Sequence, residues 1–111
     1  MNSKRKGKAG ELEAAAELRR VLGVEARRGV QYAGGPDSPD VVGLPGVHIE
    51  VKRTERLNIR EAIEQAMRDA GADVPIVLHR QNRTPWLVTV ALVALPRLAH
   101  AVTDLPRKEN P

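Results

Sequence analysis

Asp40, Glu50 and Lys52 are two carboxylates and an amine set into the most strand-like part of the chain, "SPDVVGLPGVHIEVKRTER", residues 38–56. Buried charges cost several kcal/mol unless they are paired or bind a metal, so three of them on adjacent strands call for an ion-pair cluster or a site. "DVVGL" and "VHIEVK" are two β-rich runs joined by Pro45 and Gly46, a hairpin signal. Strand alternation sends Ile49 and Val51 to one face and His48, Glu50 and Lys52 to the other. The hairpin sets Asp40, at the start of the first run, beside Glu50 on the second. Two carboxylates plus the Val51 carbonyl suit a hard cation such as Mg²⁺, with phosphate oxygens completing its shell, so the substrate would be a phosphate ester. Lys52 would orient or deprotonate the attacking water and stabilise charge building on the phosphate oxygens. The competing readings are a surface ion-pair ladder, and Asp37 in place of Asp40, since Pro36-Asp37 is a second Pro-Asp pair. Asp40 is preferred because it leads directly into an apolar run.

These residues need elements to hold them. Helical patterning runs from Ala9 to a Gly23 stop, with Ala15, Leu18 and Leu22 in one arc, Glu11 in the middle of that arc, and Glu13, Glu17 and Arg20 opposite. Glu11 therefore faces inward; its other reading is a first-turn acid favoured by the helix macrodipole. Val24 to Gln31 reads as a first strand, followed by the loop "YAGGPDSPD". Asn58, with Glu61 three residues on, caps a second helix whose apolar stripe is Ile59, Ala62, Ile63, Ala66 and Ala70, with Gln65 on its flank and Gly71 at its end. "VPIVLHR" and "PWLVTV" read as two further strands, with Trp86, Leu87 and Val88 most simply core and, in a dimer, part of this strand region an alternative interface, and "LPRLAHAVTDL" as a last helix. The predicted order is helix, three strands, helix, two strands, helix. That is an α/β fold, a mixed sheet of about five strands flanked by helices: a flexible basic arm over 1–8, one domain over 9–105 and a frayed tail over 106–111.

Composition narrows the chemistry. The 111 residues suit one compact domain, and 18 Lys and Arg against 14 Asp and Glu favour a polyanionic partner. With no cysteine, any metal must sit on oxygen or imidazole. No apolar run approaches the roughly 20 residues of a spanning helix, and the N-terminus turns acidic where a signal peptide would turn apolar, so the expected location is the cytoplasm, without membrane contact. One Trp, one Tyr and no Phe leave no stacking platform for single strands, so backbone and shape recognition fit better. Lys4, Arg5, Lys6, Lys8, Arg27, Arg28, Arg53 and Arg56, with Arg60, are candidates for positioning duplex DNA through its phosphates. His48 shares the face of Glu50, where a lone His is more often a packing residue than a ligand, and His79 and His100 have no partner at ligand spacing.

Pro39-Asp40, nine intervening residues, then Glu50-Val51-Lys52 resembles the PD-(D/E)xK nuclease superfamily. The resemblance implies a restriction-endonuclease-like core, a metal role for Glu11 beside Asp40, Glu50 and Val51, and a site role for Gln65. Within that superfamily the opening "KRKGKAGELEAAAELRRVLG", then "ARRGV", "PDVVG" and "IEVK", is similar to the archaeal-type Holliday junction resolvases, also phage-encoded. The likeness covers roughly residues 3–90. It implies Mg²⁺-dependent hydrolysis of phosphodiester bonds in four-way DNA junctions by a homodimer, with Mn²⁺ able to substitute and no organic cofactor. One position departs: those enzymes usually carry a Ser in the loop before the PD motif, where "VQYAGG" has none and Ser38 is the only hydroxyl near. Small nucleases of the same fold acting on nicked, flapped or linear DNA, and a non-catalytic DNA-binding module, are the alternatives.

Overall fold

The computed structural model describes residues 3–29 and 38–105, with side chains from residue 7 onward. Asp37, the loop before it, the tail 106–111 and the side chains of Lys4, Arg5 and Lys6 lie outside the described residues.

The chain forms helix α1 (Ser3–Leu22), strands β1 (Arg27–Arg28), β2 (Val41–Val42) and β3 (Val47–Arg53), helix α2 (Ile59–Asp69), strands β4 (Val74–Arg80) and β5 (Leu87–Thr89), a 3₁₀ turn over Leu92–Ala94 and helix α3 (Leu95–Thr103). The predicted order of helices and strands is reproduced. Helix α1 begins at Ser3, where patterning puts its start near Ala9: the basic residues that precede the apolar stripe continue the helix. The five strands form one mixed sheet in the order β1-β2-β3-β4-β5, antiparallel except for the β3–β4 pair. A parallel pair needs a crossover, and α2 supplies it.

The β2–β3 hairpin closes as its sequence predicts. The Val47 amide donates to the Leu44 carbonyl at 3.2 Å, with Pro45 at the first corner and Gly46, at φ +80°, at the second. Helix α2 opens as predicted: Asn58 Oδ1 accepts from the Glu61 amide at 3.1 Å, and Gly71, at φ +58°, follows its end.

Alternation along β3 sorts two packed layers. Val47, Ile49 and Val51 join Val41, Ile76 and Leu78 against Ala14, Ala15 and Leu18 of α1, with Leu98 and Ala101 of α3 at the margin. On the opposite face Val77 packs with Ala62 and Ala66 of α2. His48, Glu50 and Lys52 share that second face, so the site lies under α2. Two sequence expectations are corrected. Trp86 packs against the core, but Leu87 and Val88 are exposed, because β5 is the sheet's edge. Glu13 does not project to solvent: α1 lies across the C-terminal ends of β3 and β4, and the Glu13 carboxylate pairs there with Arg53 and Arg80.

Candidate metal centre

Asp40 is fixed by its backbone before its side chain acts. Its amide donates to the Ile49 carbonyl at 2.9 Å and its carbonyl accepts from the Gly29 amide at 2.8 Å, so it sits hydrogen-bonded between β3 and the end of β1. Gly29 permits this because a Cβ there would stand 2.2 Å from the Pro39 carbonyl oxygen. The carboxylate then turns onto β3, where Asp40 Oδ2 accepts from the Val51 amide at 2.8 Å. Amide and carbonyl of one strand residue project to the same side, so the Val51 carbonyl also points toward this edge.

Glu50 is buried, with 6% of its side chain exposed, and His48 is buried beside it with 4%. A hydrogen bond of 2.8 Å joins His48 Nε2 and Glu50 Oε1. The Asp40 and Glu50 carboxyl groups interact directly. Burial pushes Asp40 up to about 6; the Val51 hydrogen bond opposes this, the neighbouring Glu50 adds to it, and the Lys52 charge offsets part of it. Burial also raises Glu50; its hydrogen bond to Asp40 opposes the rise, and the charges of Asp69 and Glu11 reinforce it. The two acids titrate as a pair.

Glu11 faces inward as its helix position predicts, with 15% of its side chain exposed, and accepts from Arg28 Nε at 2.8 Å. Its charge reaches Glu50. Lys52 is half-buried two residues beyond Glu50 on the same face. Gln65 lies half-buried on α2, which packs over that face. The structure thus brings together Asp40, Glu50 and Lys52, with Glu11 at the margin. The donors are the Asp40 and Glu50 carboxylates and the Val51 carbonyl, a set that fits a hard divalent cation, and no thiol competes.

Asp69 escapes the sequence reading. Helix α2 runs back along β3 and β4, so its last residue returns to the level of His48 and Glu50, and donor atoms of His48, Glu50 and Asp69 all lie within 4.8 Å of one another. The signal was the crossover itself: Gln65 and Asp69 are i and i+4 on one helix face.

Of the candidate DNA contacts, Lys8, Arg27 and Arg56 are exposed, as is Arg60. Arg28 is held by Glu11. Arg53 is half-buried, with its guanidinium on Glu13 and on Asn82 Oδ1, the latter at 3.0 Å. His79 pairs with Thr89 Oγ1 at 2.8 Å. No helix of the described residues is long and apolar enough to cross a membrane.

No protein-family model matches the chain, and no curated protein matches it. Among solved structures it is similar to Hjc of Archaeoglobus fulgidus, described as a Holliday junction resolvase from an archaeal hyperthermophile. The TM-score is 0.56 at 24% identity, over 74% of this chain and 74% of that one. What the likeness establishes is the architecture: the mixed five-stranded sheet with its flanking helices is a fold that this chain has in common with a resolvase.

Proposed function

We propose that the chain is a metal-dependent endonuclease of the PD-(D/E)xK type that resolves four-way DNA junctions as a homodimer. The observation that carries this reading is the contact between the half-buried Asp40 and the buried Glu50 carboxyls, with Asp40 oriented by the Val51 amide and Lys52 on the same strand face. A structural ion-pair ladder would lie exposed and would not need two like charges side by side in a buried place. The fold shared with Hjc, described as a resolvase, supports branched DNA as the substrate.

In this reading Asp40, Glu50 and the Val51 carbonyl hold Mg²⁺ or Mn²⁺, with Glu11 completing the acidic shell. A bound cation would polarise the scissile phosphate and lower the pKa of water. Lys52 positions the attacking water and neutralises charge on the phosphate oxygens, and Gln65 reaches the same face from α2. Lys8, Arg27 and Arg56 contact the duplex backbone, joined by Lys4, Arg5 and Lys6; Arg28 and Arg53 position acids of the site and its frame. A junction needs two matched cuts, which a two-fold dimer provides. Leu92 and Val93, 81% and 87% exposed after the edge strand β5, are the surface for the second copy.

The test is cleavage of a labelled immobile four-way junction beside its component linear, nicked and flapped duplexes, with Mg²⁺. Paired symmetric cuts confined to the junction are expected. Glu50→Gln should lower cleavage about a hundredfold or more while junction binding persists. Cuts on every substrate would remove the junction claim and leave the nuclease, an outcome the absence of Ser from "VQYAGG" favours. Metal-independent binding without cutting would sink the enzyme reading.

A further inference from the structure

The chemistry assigned to Glu50 uses its side toward Asp40. Its Oε1 also lies on His48 Nε2, at 2.8 Å. Asp69 approaches the same point from α2, with donor atoms of the three residues mutually within 4.8 Å. Donors about 2.0–2.2 Å from a common ion lie at most about 4.4 Å apart, so a fraction of an ångström of side-chain adjustment would gather them on one cation.

Two features separate this group from a packed histidine beside an acid. Asp69 ends α2, where the helix macrodipole opposes a negative charge, and it is aimed at a second carboxylate rather than at solvent alone. His48 sits almost wholly buried, with Nε2 on the Glu50 carboxyl and within reach of Asp69, so an imidazole nitrogen is built into the group rather than left on the surface. Two carboxyls and an imidazole therefore converge, a donor set suited to a divalent cation.

The geometry points to a second divalent-cation position formed by His48, Glu50 and Asp69, adjoining the one Asp40 shares with Glu50 and favouring ions that accept an imidazole nitrogen, such as Mn²⁺ or Zn²⁺, over Mg²⁺. It deepens the proposed nuclease reading, since Glu50 is common to both positions. The ring nitrogen offered to the cation would be Nε2, the one that lies on Glu50. Glu50 would be common to both cations, and a pair of cations would supply what two-metal phosphodiester hydrolysis uses to stabilise attacking and leaving oxygens.

The experiment is electron spin-echo spectroscopy of the full chain with Mn²⁺, read for modulation by a directly bound imidazole nitrogen, with Mn²⁺ affinity measured in parallel. The wild-type protein should show the modulation, and His48→Gln should abolish it. Asp69→Asn, at a half-exposed position that the fold tolerates, should weaken Mn²⁺ binding about tenfold or more. Should His48→Gln fail to fold, the wild-type spectrum and Asp69→Asn still decide. Mn²⁺ bound in all-oxygen surroundings, or unchanged affinity in Asp69→Asn, overturns this second position and leaves the nuclease reading standing. Absence of any Mn²⁺ binding, with no cleavage, overturns both.

Discussion

The half-buried Asp40 is held beside the buried Glu50, and this has a pH consequence of definite sign. Asp40 is pushed from 3.8 to about 6, so the folded metal-free chain favours the protonated pair. A raised carboxyl pKa contributes stability that is fully present below the unfolded value and lost as pH rises through the folded one. The metal-free protein should therefore gain thermal stability as pH falls from neutral toward about 5, while added Mg²⁺ should stabilise most above about 6, where Asp40 is ionised. Tm scans with and without the cation check this. A metal-free Tm that falls steadily over that interval would show that the pair is not coupled as described. The same residues mark what the sequence could reveal. Asp40, Glu50 and Lys52 were legible because strand alternation and a Pro-Gly turn are local signals. The Glu11–Arg28 pair, the Glu13–Arg53–Arg80 network and Asp69 were not, because each depends on where α1 or α2 crosses the sheet.

At the level of elements, the site depends on how closely β1 and β3 grip Asp40. Gly29→Ala should clash with the Pro39 carbonyl and destabilise by about 1–3 kcal/mol. Its loss of cleavage should exceed what the loss of folded protein explains, because the backbone displaced is the one that carries Asp40. Measuring turnover per folded molecule, with folded fraction from circular dichroism, separates the two; equal losses would show that Gly29 only stabilises. Strands and helices were the most legible level. The "VPIVLHR" run became β4 without change, and Asn58 caps α2 as its spacing predicts. Strand β1 is shorter, Arg27–Arg28 within the described residues. Burial was misjudged at Leu87 and Val88, since an apolar run does not say whether its strand is central or at the edge.

For the molecule as a whole, the most exposed large apolar residues, Leu92 and Val93, follow the edge strand. If they are where a second copy sits, Val93→Glu should convert a dimer to a monomer in sedimentation while leaving the circular-dichroism spectrum unchanged, and should abolish paired cutting before single nicking. A wild-type chain that sediments as a monomer at working concentration would remove this surface from the proposal.

The hydrogen bond from Gly29 to Asp40 also fixes what can be changed safely. It brings two points of the chain eleven positions apart into contact at 2.8 Å. Closing a longer excursion costs little, about 0.6 kcal/mol per doubling of its length. Residues inserted between positions 29 and 38 should therefore leave the hydrogen bonds that hold Asp40 in place. Under the proposed nuclease reading the position is a graft point, where selectivity among DNA shapes can be varied apart from the acids.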